Sequence, residues 1–368
     1  MQKESNRFSR TFSASIEGCI LGAAAGDALG LPCEGLTPSR QRKMFADVDR
    51  HRFLCGRGMV SDDTDHTCFV ALSLLESGAD PNSFERHLAR HLRWWLLGVP
   101  AGVGLATLRA TMRLCVGIPP SRSGVWSAGN GPSMRSAILG AYTGQDPTLL
   151  ADLVRRSTRI THIDPKAEIG ALAIATAAHV ARVAPAVSYE AFTEAFETTL
   201  AASSIDRDSS AVDEFRRLLK AASASAEAGQ STLDFTMSIG SRAGVSGYVY
   251  HTVPAVLQTW LRYPDDFRAG VVEIIRAGGD TDTTASILAA LIGTRVGPDG
   301  IPKEWLDNLW EWPRTVGWMR NVSTRLAENV GGSPASTPPY PTWQIPARNL
   351  IFTSTVLAHG LRRLLPPY

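Results

Sequence analysis

Apolar side chains in this chain recur at intervals of three and four residues and almost nowhere in strict alternation, and that pattern selects helices. Ile16, Ile20, Leu21, Ala24 and Ala28 share one helical face, and Phe84, Leu88, Leu92 and Trp95 share another behind "NSFE", which reads as a capping start. Phe267, Val271, Ile274 and Ile275 form a stripe that Gly278-Gly279 stops, and Ile287, Leu288, Leu291, Ile292 and Val296 form the next. The alanine-rich stretch "EIGALAIATAAHVARVA" suits close-packed helices. Convincing alternating strands are missing. The expected fold class is all-α, a globule of many helices.

The 368 residues allow one large domain or two smaller ones. We expect a polar N-terminal extension over 1–15, a main domain over 16–330, and a Pro/Gly-rich linker with one last amphipathic helix over 331–368 that docks on the main body. Lys and Arg total 37 against 35 Asp and Glu, so bulk charge gives no reason to expect a nucleic-acid or membrane partner. No apolar run reads as long enough to span a bilayer. The five cysteines, Cys19, Cys33, Cys55, Cys68 and Cys115, are odd in number and include no CxxC pair, which fits a reducing, cytoplasmic setting.

Two acidic clusters carry the functional question: "SDDTD" over 61–65 and "GGDTDTT" over 278–284. Each precedes an apolar helical stripe, so each can be an ordinary N-cap. Yet a cap uses one oxygen, and each cluster offers several. Carboxylate and hydroxyl oxygens gathered together suit Mg²⁺ or Mn²⁺. Neither cluster satisfies an EF-hand, because the sixth and twelfth positions are Cys68 and Leu74 from Asp63, and Ala285 and Leu291 from Asp280. "DTDTT" also fits the DxDxT pattern of haloacid-dehalogenase-like phosphatases, although a helical stripe rather than a strand precedes it. That remains a minor alternative.

Five separated stretches, taken in order, give the chain a family resemblance. "GCILGAAAGDALGLPCEG" (18–35), "SDDTD" (61–65), "GNGPSMR" (129–135), "THIDP" (161–165) and "GGDTDTTASILAALIGTRVG" (278–297) resemble the motifs of the ADP-ribosylglycohydrolase family. The resemblance implies an all-α hydrolase that uses two Mg²⁺ ions, with Mn²⁺ as a substitute, to cleave the glycosidic bond joining ADP-ribose to an acceptor. It places Ser61, Asp62 and Asp63 on one ion and Asp280, Asp282 and Thr283 on the other, with Asp282 bridging. Serine at 61 retains the hydroxyl of the threonine often found there. Catalytic weight falls on Glu34, Asp62, Asp63 and Asp282. Gly129, Asn130, Gly131 and His162 become ligand contacts, with backbone N–H groups cradling a diphosphate.

The substrate implied is first an ADP-ribosylated protein modified on arginine, with ADP-ribosyl-serine, O-acetyl-ADP-ribose and modified nucleic acids as alternatives that the sequence does not separate. A second reading is an immunity or regulatory protein that binds and neutralises an ADP-ribosyltransferase toxin, with or without hydrolase activity; residues 1–15 then read as the binding arm, and otherwise as a disordered terminus. Asp65 reads as a helix-start charge, His251 as structural, and Trp94, Trp95 and Trp260 as core.

Overall fold

Four glycines, Gly18, Gly22, Gly26 and Gly30, fall one turn apart along a single line of the first helix. The computed structural model describes residues 2–53, 55–143, 145–329 and 333–365, with side chains from Phe12 onward. Among these residues the regular structure is nineteen α-helices with short 3₁₀ turns and no strand. In chain order they are α1 (Gln2–Gly30), α2 (Pro38–Met44), α3 (Asp62–Ser77), α4 (Pro81–Leu97), α5 (Leu105–Cys115), α6 (Pro120–Ser123), α7 (Gly131–Met134), α8 (Ala137–Thr143), α9 (Pro147–Arg159) and α10 (Pro165–Val183). They continue with α11 (Tyr189–Ala202), α12 (Ser210–Glu227), α13 (Thr232–Ser238), α14 (Val249–Arg262), α15 (Phe267–Arg276), α16 (Thr281–Val296), α17 (Lys303–Asp307), α18 (Val316–Glu328) and α19 (Ile345–Arg362).

The glycine line is where α1 meets α16. A Cβ at Gly18 would lie 2.0 Å from the Gly293 carbonyl oxygen, at Gly22 2.3 Å from that of Ala289, at Gly26 2.2 Å from that of Ala285 and at Gly30 2.2 Å from that of Thr281. The partners descend as the glycines ascend, so the helices run antiparallel with their backbones in contact. At the far end Thr281 Oγ1 donates to Gly30 O at 2.8 Å. The zipper therefore fixes the turn after α1, which carries Glu34, against the start of α16, which carries Asp282.

Around this pair, sequence dictates where helices begin. Asp80, Asp146 and Asp164 each precede a proline, and each carboxylate accepts from a backbone N–H of the first turn of α4, α9 or α10. Helices α10 and α16 are buried on nearly every face and form the centre with α1, while α4, α9 and α12 are amphipathic and turn polar faces outward.

Three sequence expectations change. Phe12–Cys33 is long and apolar enough to span a bilayer by length and composition, with mean hydropathy 1.2, but 89% of that window is buried, as the zipper with α16 requires. The polar segment drawn at 1–15 supplies the first turns of α1 from Gln2, and its side chains before Phe12 lie outside the described residues. Asp280 follows helix α15 rather than a buried strand, which removes the local setting that a phosphatase nucleophile needs.

The chain after α18 returns across the acidic face. Arg348 of α19 is buried, bonds both oxygens of Glu311 and donates to Val60 O at 2.6 Å, one residue before the first acidic cluster. Further along, Arg363 donates to Glu34 O at 2.6 Å, and the His359 ring sits 2.9 Å from Pro32 O.

Candidate functional site

Capping was the plain alternative for the acidic clusters, and the hydrogen bonds decide it. At the start of α3, Ser61 Oγ accepts from Asp63 N, while Ser61 N and Thr64 N are taken by Asp27 on α1 at 2.9 and 3.2 Å. Asp27 also accepts from Thr64 Oγ1 at 2.5 Å. With that work done, neither Asp62 nor Asp63 is needed as a cap. At the start of α16, Asp280 stands at the N-cap position and makes no side-chain cap bond. The carboxylates are free for something else.

They face one another. Asp63 Oδ2 accepts from Ser61 Oγ at 3.1 Å and from Thr283 Oγ1 at 3.2 Å, so the two clusters touch directly across 220 positions of sequence. Asp63 Oδ1 and Asp282 Oδ1 are buried without a hydrogen-bond partner among the described residues. Asp62, Asp280, Asp282 and Thr283 line one cleft of about 610 Å³ with Glu34, Gly129, Asn130, Gly131 and His162.

The Gly278-Gly279 turn shows why two glycines precede Asp280. Both have positive φ, +71° and +83°, and a Cβ on Gly279 would lie 2.0 Å from Val245 O. Gly279 N donates to Leu36 O at 2.8 Å and Gly35 N donates to Gly279 O at 2.7 Å. On the other side Asp280 N donates to Val245 O at 2.7 Å. The turn is thus clasped between the Glu34 loop and the loop over 243–247, which the sequence reading did not single out and which also lines the cleft.

Asn130 joins the opposite wall to the acids. Its Nδ2 donates to Asp280 Oδ2 at 2.7 Å and to Thr252 Oγ1 at 3.0 Å, and its N–H donates to Gly247 O at 2.9 Å. Gly129 and Gly131 are small because the His162 ring lies against them: a Cβ would come within 3.0 and 3.1 Å of it. Below this wall Arg135 is fully buried, with no carboxylate bonded to it among the described residues; it donates to Ser157 O and Thr161 Oγ1, each at 2.7 Å, and lies 3.2 Å from His66 Nδ1. Burial pulls its guanidinium down to about 9, against the pull of Asp62, and burial beside Arg135 pushes His162 down to about 3.

Burial first, and then mutual repulsion, hold Asp62, Asp63 and Asp282 well above the ordinary carboxylate range. Asp27 is pushed up to about 7 by burial. Glu34 at the rim is raised by partial desolvation and by Asp280, with Arg363 opposing. So much negative charge out of water asks for a cation. The donors are carboxylates and hydroxyls, which suit Mg²⁺, and two buried carboxylate oxygens have no other partner. The residues therefore fit such an ion chemically, although no three His, Cys, Asp or Glu side chains among the described residues are already drawn into a closed ligand set.

Three residues change role. Asp65 is an acid of the first turn of α3, as expected, but it also binds inward: Trp95 Nε1 donates to it at 3.1 Å and Arg314 Nη2 at 2.5 Å, all buried. Trp95 and Trp260 are core, but Trp94 is 69% exposed. Asp27 was missed; its only sequence signal is a single acid inside an apolar helical run.

The ADP-ribosylglycohydrolase family profile matches residues 9–335. The chain is 25% identical over 300 residues to the ADP-ribosyl-[dinitrogen reductase] glycohydrolase of Rhodospirillum rubrum, covering 79% of this chain and 89% of that one. It is 25% identical over 323 residues to the ADP-ribosylhydrolase ARH3 of Xenopus tropicalis, with the same coverage of each. A solved structure described as an ADP-ribosylglycohydrolase-related protein complex superposes with TM-score 0.63 at 27% identity, over 87% of this chain and 99% of that one.

Proposed function

The chain belongs to the ADP-ribosylglycohydrolase family and is a hydrolase of glycosidic bonds in ADP-ribosyl compounds, and from that premise we propose that it removes ADP-ribose from arginine side chains of a modified protein with the help of two Mg²⁺ ions. The observation that carries this reading is that Asp62, Asp280 and Asp282 are released from capping and gathered at one cleft, with Asp63 buried behind them and bonded to Thr283.

Ser61, Asp62 and Asp63 would hold one ion, and Asp280, Asp282 and Thr283 the other, with Asp282 shared; Mn²⁺ has the same oxygen chemistry. When bound, such ions supply Lewis-acid polarisation and lower the pKa of water. The chain's own residues do the rest. Gly129 to Gly131 and His162 form the wall on which the diphosphate rests. Asn130 keeps Asp280 turned inward. Glu34 holds or passes a proton beside the ribose C1 and faces the positive charge that develops there. Thr283 and Ser61 hold Asp63 in place.

The test is ADP-ribose release from an arginine-modified protein with Mg²⁺, with and without a chelator, for the wild type and Asp282→Ala. We expect chelation and the substitution each to abolish release, while circular dichroism keeps the helical signal, since α16 does not use Asp282 as its cap. Undiminished turnover by Asp282→Ala would sink the assignment.

A further inference from the structure

The face formed by α4, α5 and the loop between them is unlike the rest of the surface. From Phe84 to Gly124 there are six arginines and one acid, Glu85, in a chain whose net charge is only +2. Glu85 is turned toward Arg156 of α9. Arg90 is bonded to Glu76, but Arg86, Arg93 and Arg109 have no carboxylate within ion-pair distance among the described residues. Among these cations stand large apolar side chains in water: Trp94, Leu97, Val99, Leu105, Met112 and Val116 are each more than half exposed. Arg86, Arg90, Arg93, Trp94 and Leu97 line a groove of about 510 Å³ that includes no acid.

This face is continuous with the cleft. The first residue of α5, Leu105, and the preceding Gly102 and Gly104 line the cleft mouth, whereas its last residue, Cys115, lines the groove. Eleven residues of helix set the two about 16 Å apart. A macromolecule whose modified side chain enters the cleft must lay its surface over α5.

We propose that α4 and α5 form the docking surface for the protein that carries the ADP-ribose, and that the complementary surface is acidic with an apolar residue at its centre. The proposal rests on the reading that the cleft accepts a modified protein. Charge complementarity selects an acidic partner. The mixture selects a protein over a nucleic acid: tryptophan, methionine and arginine are the residues enriched where proteins meet, and exposed Leu97, Val99 and Val116 have nothing to contribute to a phosphate backbone. Trp94 is the anchor, with the arginines around it steering the encounter.

The experiment compares wild type, the Arg86→Glu/Arg93→Glu double variant, the Arg86→Lys/Arg93→Lys double variant and Trp94→Ala. Three probes are used: an acidic carrier protein ADP-ribosylated on arginine, a basic carrier modified in the same way, and free ADP-ribosyl-arginine. On the acidic carrier, charge reversal and Trp94→Ala are expected to lower kcat/KM by about tenfold or more through KM, with the lysine variant near wild type and the wild-type rate falling as salt rises. On free ADP-ribosyl-arginine all four proteins are expected to be equal, and wild type should prefer the acidic to the basic carrier. Equal loss on protein and small probe, or no loss on either, overturns the docking surface. A wild type that cleaves the small probe but neither carrier overturns it too, while one that cleaves none of the three overturns the reading of the cleft and the docking surface together. Anisotropy titration with a labelled single-stranded oligonucleotide completes the set: tight binding that charge reversal abolishes would assign the face to nucleic acid instead.

Discussion

Asp27 shows what a single side chain contributes at this site. It is fully buried and does not line the cleft, yet its one carboxylate takes Ser61 N, Thr64 N and Thr64 Oγ1 and so sets the turn that presents Asp62 and Asp63. Asp27→Ala leaves those donors buried without a partner, at about 1–3 kcal/mol each for the groups that cannot find water. We expect a clear drop in melting temperature together with loss of ADP-ribose release, and differential scanning calorimetry beside the release assay would check both; an unchanged melting temperature would mean the turn holds itself. The same scale explains what the sequence could reveal. Asp62, Asp63, Asp280 and Asp282 are legible because each pair is a local cluster with more oxygens than a cap needs. Asp27 and Asp65 are not, because what defines them lies far along the chain: Ser61 is 34 positions away and Arg314 is 249. Trp94 is an instructive error. The stripe Phe84, Leu88, Leu92, Trp95 already selected one tryptophan and left its neighbour about 100° round the helix, where it meets solvent.

At the scale of elements the fold hangs on the seam between α1 and α16. The repeat of glycines at every fourth position was present in the sequence, but its meaning required the partner helix, about 270 residues later, whose carbonyls fill the space. Gly22→Val should be severe, since its Cβ would start 2.3 Å from the Ala289 carbonyl and 3.4 Å from the Phe267 ring, and backbone has no rotamer to give. We expect a loss of at least the 1–3 kcal/mol of ordinary overpacking, about 2–4 °C per kcal/mol for a chain of this size or somewhat less. Gly317→Ala in α18 is the control, because its Cβ would meet only Thr315 Oγ1 at 3.8 Å; thermal melts of the two variants should differ widely. Equal melts would remove the seam from the account. The helical stripes were legible because they depend on local periodicity alone.

The molecule as a whole closes through its last helix, and the family profile stops short of it, at residue 335. Arg348 is buried with Glu311, and breaking a buried pair from one side costs about 3–5 kcal/mol because the other charge is stranded. Arg348→Met should therefore destabilise strongly, and Arg348→Met/Glu311→Leu should recover most of the loss in denaturant melts. A double variant as weak as the single one would show that the bond to Val60 O, rather than the ion pair, holds α19 in place. Sequence reading anticipated an amphipathic helix near the end of the chain. It could not anticipate which loops the helix grips, because Val60 and Glu34 lie about 290 and 330 positions upstream of the arginines that bond them.

That grip has a consequence in time. A ribosome makes the Glu34 loop early and Arg363 329 residues later. At 5–20 residues per second the interval is about 15–65 s. A nascent chain thus holds every acid of the site well before it holds the residue that bonds the Glu34 loop from above. A message broken between codons 284 and 345 would yield a protein with the full set of acids and a rim left untied.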